Sequence, residues 1–125
     1  EAVAALESLQ GTVDALWILP DETTLAQTVV QQMLLFSYRN KIPLLGLSER
    51  HAQMGALLSL SFASSEDIGR QAGELASSIL GGKTAADVPY TTARRLSLTV
   101  NLKAAQKLGV EIPKVVLGRA TTVIQ

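Results

Sequence analysis

A chain of 125 residues suffices for one compact domain with a modest core and is too short for two complete ligand-binding lobes. Apolar residues (47%) far outnumber charged ones (18%), which favours a folded globule over disorder, and with few aromatics (4%) the core must be filled by Val, Leu, Ile and Ala. Eleven basic and eleven acidic side chains cancel, so no broad positive field draws nucleic acid or an anionic membrane; zero Cys excludes disulfides, thiolate nucleophiles and Cys-ligated zinc, and the single His51 cannot build a histidine-rich metal site.

The chain opens with Glu-Ala-Val-Ala-Ala-Leu-Glu. This is a helix-like start with neither an initiator Met nor a basic-then-apolar signal segment, and it reads as a cut inside a longer protein. Val3, Leu6 and Leu9 fall at near-helical spacing over residues 1–10, and Gly11 is a natural stop. The period then changes. Val13 to Leu19 is a short apolar run of the length expected of a strand covered on both faces, and Pro20 closes it. Trp17 inside this run suits a core or sheet-face role better than stacking on a ligand.

Asp21-Glu22-Thr23-Thr24 supplies capping groups and early acids, and residues 25–38 carry Leu25, Val29, Met33 and Phe36 on one helical stripe. Lys41-Ile42-Pro43 restarts the cycle. Leu44 to Leu47 is a second buried strand, Ser48-Glu49-Arg50 opens a short helix ending near Gly55, and Leu57 to Phe62 is a third strand. Ser64-Ser65-Glu66-Asp67 is a strong helix start. The helix it opens places Ile68, Ala72, Leu75, Ala76, Ile79 and Leu80 on one face and ends at Gly81-Gly82. Its Gly69 and Gly73, four apart, predict close packing against a sheet or helix. Residues 82–95 are a polar, Pro-containing connector and the best linker candidate. Leu96 to Val100 alternates like a strand, Asn101 caps a short helix over 102–108, and Gly109 ends it. The tail from Ile112 has no clear period beyond a last turn.

Strands alternating with helices imply parallel pairing and a Rossmann-like three-layer α/β/α architecture with a mostly parallel sheet. Ligands of open parallel sheets bind beyond the carboxyl ends of the strands. There the chain is polar each time: Asp21, Glu22, Thr23 and Thr24 follow the first strand, Ser48 and Glu49 the second, Ser64 the third. Taken singly, each is a common helix cap. Three polar edges together point to a binding rim. Asp21 and Glu22 suit a helix start better than acid–base work, since neighbouring turn residues seldom aim at one atom and no His or Lys partner is fixed nearby. His51 reads as a surface or half-buried helix residue. Neither a GxGxxG after a strand, nor a GxxxxGK[ST] loop, nor a Gly-x-Ser-x-Gly elbow occurs, which removes the familiar nucleotide-binding and hydrolase motifs and leaves no catalytic constellation.

Several stretches, in one order along nearly the whole chain, resemble the C-terminal half of the tryptophan/tyrosine-type ABC-transporter substrate-binding proteins, of periplasmic-binding fold type I. They are Val-Asp-Ala-Leu-Trp-Ile-Leu-Pro-Asp-Glu-Thr-Thr at 13–24, Ile-Pro-Leu-Leu-Gly at 42–46, Gly-Ala-Leu-Leu-Ser-Leu-Ser-Phe at 55–62, Ile-Gly-Arg-Gln-Ala-Gly-Glu-Leu-Ala at 68–76, Asp-Val-Pro at 87–89, and Leu-Thr-Val-Asn-Leu-Lys-Ala-Ala-Gln-Lys-Leu-Gly-Val-Glu-Ile-Pro at 98–113. The family commonly reads Asp-Asn-Thr after the first of these strands; Asp21 and Thr23 match, and Glu22 stands in place of Asn. After the third strand the family commonly carries an Asp, where this chain has Ala63-Ser64-Ser65.

The resemblance implies that residues 1–125 form one partial lobe of a two-lobed protein, with 82–95 at an inter-lobe crossing and helix 65–81 packing on the other lobe. It implies a non-enzymatic solute-binding component of an ABC transporter, exported or periplasmic, needing no cofactor. The ligand would be a small polar solute, with amino acids among the candidates, held in an inter-lobe cleft, and the partner a membrane permease. The same fold serves as a sensory module in signalling or regulatory proteins, which stays open as the alternative. A lobe alone would expose a sheet edge and an apolar helix face, and pairing of two copies is the expected consequence.

Overall fold

The structure is a computed structural model that describes residues 2–125. Its first strand–helix cycle comprises α1 (Ala2–Glu7), β1 (Leu16–Trp17), α2 (Glu22–Leu25) and α3 (Gln27–Asn40), and the second comprises β2 (Leu44–Gly46) and α4 (Glu49–Met54). Next come β3 (Leu58–Phe62), α5 (Ser65–Leu80), a single 3-10 turn (Ala85–Asp87), β4 (Leu96–Asn101), α6 (Leu102–Leu108), α7 (Lys114–Leu117) and β5 (Thr122–Ile124). The strands form one sheet in the order β1-β2-β3-β4-β5, and β1–β2, β2–β3 and β4–β5 pair in parallel. The mostly parallel α/β architecture expected from the alternation is therefore present. No helix among the described residues is long and apolar enough to cross a membrane.

The chain divides into two compact units, one running to Ser61 and resuming at Leu98–Gln125, the other Phe62–Ser97. In the first, the core lies between α3 and one face of the sheet. Val30, Met33, Leu34 and Ser37 recur at the three- and four-residue spacing of a single helix face and are buried with Phe36. They meet Leu16, Ile18 and Leu44, the last two fully buried, and Leu6 of α1 closes the cluster. A smaller cluster joins Leu57 to Ala105 and Leu108 of α6.

Side chains alternate across a strand, and paired residues of parallel neighbours share a face. Since Trp17 pairs with Leu45 and Leu45 with Leu58, the face opposite the core carries Trp17, Leu19 and Leu60, which are 66%, 55% and 48% exposed. The run 13–19 is thus covered on one face by this chain, not on both. Its apolar continuity reports the chemistry of the two faces and not what covers each. Trp17 takes the sheet-face position.

The helix expected over 25–38 is divided at Ala26, whose extended backbone (ψ 130°) separates α2 from α3, and the buried stripe begins at Val30. The tail, featureless in sequence, forms α7 and then β5, which extends the sheet through Thr99–Thr122 and Asn101–Ile124 pairing.

In the second unit Ser64 caps α5 as expected: its Oγ accepts the Asp67 N–H at 3.0 Å and donates to Asp67 Oδ2 at 2.9 Å. That bond, reinforced by Arg95 at 3.1 Å, holds the Asp67 carboxyl below its ordinary range. The apolar stripe of α5 lies exposed, with Ile79 41% and Leu80 89% open, and a Cβ added at Gly69 or Gly73 would meet nothing within 4 Å. Close packing at these glycines is therefore absent among the described residues.

What α5 buries is polar. Gln71 donates to Thr91 Oγ1 (3.0 Å) and Thr92 O (2.8 Å) and accepts the Arg94 N–H (3.0 Å), bolting the end of the 82–95 connector to the helix. Gln71→Ala removes all three bonds and leaves a carbonyl and an N–H unpaired. It should loosen this unit by about 2 kcal/mol. Faster hydrogen exchange at the Arg94 amide is the expected readout, and unchanged protection there would refute the bolt.

Candidate functional site

Because β1 and β2 are parallel neighbours, the segments that leave their carboxyl ends emerge on one edge of the sheet, where open α/β sheets bind ligands. The first is Asp21–Thr24. Asp21 Oδ1 accepts the N–H groups of Thr23 (2.9 Å) and Thr24 (3.3 Å), so the carboxylate holds the first turn of α2. Thr24 Oγ1 donates back to Leu19 O at 2.6 Å and ties the turn to the segment that leaves β1. Asp21, Glu22 and Thr23 are exposed, and Thr24 is half-buried.

The second segment is Ser48–Glu49, at the start of α4. Ser48 stands at the cap position with extended backbone and is half-buried, yet its hydroxyl makes no capping bond. Glu49 is exposed and accepts Gln53 Nε2 one turn on, at 3.1 Å. Six of the seven candidate residues thus belong to one unit and leave two adjacent strand ends. Ser64 belongs to the other unit, where its hydroxyl is occupied by capping.

Two residues to which the sequence assigns no ligand role hold α4, the helix that starts at this edge. Asn101, at the carboxyl end of β4, is 5% exposed; its Oδ1 accepts the Ala104 N–H at 2.8 Å, the expected cap of α6. Its Nδ2 also donates to Ala52 O at 2.8 Å, which fastens α4 to the end of β4. His51 is half-buried; its Nδ1 accepts the Leu47 N–H at 3.1 Å, and its Cβ lies where a side chain on Gly46 would begin. Burial, and then the positive charge of Arg50, hold the imidazole below its ordinary value. A cavity of about 200 Å³ opens beside the ring, lined by Leu25, Gln27, Val30, Arg50, His51 and Met54. A roomier groove of about 470 Å³ lies between α1 and α3 and reaches Arg39 and Asn40, at the helix end preceding β2, so it stands away from the strand ends.

An open, mostly parallel sheet with polar turns gathered on its carboxyl edge is the build of an α/β ligand-binding domain. The family described as ABC transporter substrate binding protein matches residues 1–124, and the chain belongs to it. Among curated proteins, the tyrosine-binding protein of Clostridioides difficile is 31% identical over 101 residues, 81% of this chain and 28% of that protein. Among solved structures, an ABC domain in complex with L-Trp from Streptococcus pneumoniae superposes with a TM-score of 0.69 at 27% identity, over 99% of this chain and 42% of that one. A conserved domain protein of Vibrio cholerae gives a TM-score of 0.69 at 29% identity, over 98% of this chain and 40% of that one. The ligand-free, open structure of a substrate-binding protein with adhesive properties from Clostridium difficile gives 0.67 at 26%, over 100% and 41%. The chain therefore spans 28% of the curated relative and about two fifths of the solved ones.

Proposed function

We propose that this chain supplies part of one lobe of a two-lobed, non-catalytic solute-binding protein that captures an amino acid, with L-tryptophan and L-tyrosine the first candidates, outside the cytoplasmic membrane and delivers it to a membrane permease. The observation that carries the proposal is the gathering of Asp21–Thr24 and Ser48–Glu49 on one sheet edge, in a chain whose relatives include a tyrosine-binding protein and an L-Trp complex. Carboxylates and hydroxyls suit the ammonium group of an amino acid. Domain closure over the solute would turn binding into a shape a permease can read.

Ser48 offers a clean test because its hydroxyl makes no cap bond. As an idle cap residue it can be truncated with little effect on stability; as a ligand contact it cannot be truncated without loss of affinity. In the full two-lobed protein, L-tryptophan or L-tyrosine should raise the melting temperature, by an amount corresponding to about 2.7 kcal/mol at a hundredfold excess over Kd. Ser48→Ala should weaken binding about tenfold, the effect of one lost ligand hydrogen bond, and leave the ligand-free melting temperature within a degree or so. Saturation by sugars but by no amino acid, or unaltered affinity in Ser48→Ala, would sink the assignment.

A further inference from the structure

We infer that His51 is a positioning residue for the binding edge: by accepting the Leu47 N–H through Nδ1 it fixes the turn that presents Ser48 and Glu49, and it does so only as a neutral ring. The inference rests on the proposed function for its ligand, and on the geometry alone for its mechanism.

Leu47 and Ser48 link the end of β2 to α4, whose first residue is Glu49. A turn at a sheet edge is held by whatever takes up its backbone polar groups. Here the Leu47 N–H goes to a side chain four residues on, at 3.1 Å. With Nδ1 an acceptor, the neutral ring must carry its proton on Nε2. The stem of the side chain sits against Gly46, so closely that a Cβ added there would lie 2.5 Å from His51 Cβ and 3.4 Å from Nδ1, which places the imidazole beside the end of β2. Ser48, meanwhile, gives the turn no side-chain bond of its own. The imidazole is therefore the side-chain tether of the segment that carries two of the candidate ligand contacts.

A proton on Nδ1 would set one donor against another and abolish the tether. Around the ring, α2 contributes Leu25, α3 Gln27 and Val30, and α4 Arg50 and Met54; Arg50 is the only charged side chain among the residues lining the cavity beside it. No carboxylate in that set would stabilise the imidazolium, and both burial and Arg50 oppose it. With a folded-state value below the ordinary 6.5, the stability the neutral ring contributes is complete above that pH and is lost as pH falls through the lowered value.

Two arms test this. In the first, the Leu47 amide is followed by NMR in the full protein without ligand; its shift should titrate together with the His51 ring, and its exchange protection should fall in His51→Ala and persist in His51→Asn, whose Oδ1 can accept the same N–H. In the second, L-tryptophan affinity is measured from about pH 7.5 down through the pH at which the first arm finds the His51 ring to titrate. Wild type should weaken about fivefold across the His51 titration, His51→Ala should be weaker by a similar factor at every pH, and His51→Asn should bind like neutral wild type with a flat profile. A Leu47 amide indifferent to His51→Ala, or a His51→Asn profile that falls as steeply as wild type, overturns the inference. If L-tryptophan fails to bind wild type at about pH 7.5, the proposed ligand is wrong, and the amide arm by itself then decides the role of His51.

Discussion

Replacing Asn101 by Ala should lower the unfolding free energy by about 2 kcal/mol, the sum of a lost helix cap and a lost hydrogen bond to a buried carbonyl. Three bonds meet at this residue: the main-chain N–H donates to Leu57 O at 2.9 Å, Oδ1 accepts the Ala104 N–H, and Nδ2 donates to Ala52 O. The first survives the substitution. The second is a cap worth about 1 kcal/mol. The third leaves Ala52 O, on a fully buried residue of α4, with the Gly55 N–H as its remaining partner, at a cost of about 1 kcal/mol. Asn101→Asp separates the two contributions, since it keeps the acceptor for Ala104 and replaces the donor to Ala52 by a buried carboxylate. It should be at least as destabilising at neutral pH, and its deficit should shrink on acidification, when protonation removes the charge and restores an O–H donor. Denaturant titrations of both variants decide the matter; a loss below about 1 kcal/mol in Asn101→Ala would mean that the Ala52 tether contributes nothing.

Asn101 also shows where sequence stops informing. Its place between an alternating strand and a short helix marks it as a cap, and the structure agrees; the bond to Ala52, 49 positions away, leaves no local signature. The same division runs through the chain. The strand positions and the long helices are legible because apolar spacing follows directly from the period of each element. The run 13–19 suggests a strand covered on both faces, yet Trp17 and Leu19 lie exposed, because an apolar run cannot say how many of its faces the chain itself covers. The α5 stripe was read correctly as apolar and yet lies open, with polar Gln71 the residue that α5 buries. β5 is three residues long and held by register with β4, so periodicity had almost nothing to act on. Asp21–Thr24 and Ser48–Glu49 are candidates by the rule that ligands gather beyond strand ends, which needs only strand order and sense. The role of His51 is not legible in the sequence because its partner is a main-chain N–H, which every residue but proline possesses and no sequence pattern displays.

Gly46→Ala should be the most disruptive single-methyl change at this edge, costing about 3 kcal/mol. Gly46 is buried at the end of β2, and its backbone is not in the left-handed region, so conformational freedom is not what the position requires. What it requires is space: the new Cβ would stand 2.5 Å from His51 Cβ and 3.3 Å from Cγ. The nearer atom is the stem of the side chain and cannot swing aside by changing rotamer, so either β2 or α4 must move. Movement of α4 stretches the His51–Leu47 bond and the Asn101–Ala52 bond together. Stability and ligand affinity should therefore fall in the same variant, unlike Ser48→Ala, which touches affinity alone. Second-site changes discriminate steric conflict from any other cause. Because the clash is with Cβ itself, His51→Ala in the Gly46→Ala background should give no relief, whereas His51→Gly, which removes that atom, should recover part of the lost stability despite its own helix cost of about 1 kcal/mol. Equal recovery by Ala and Gly at position 51 would show that the imidazole, and not the packing of β2 on α4, sets the need for glycine at 46.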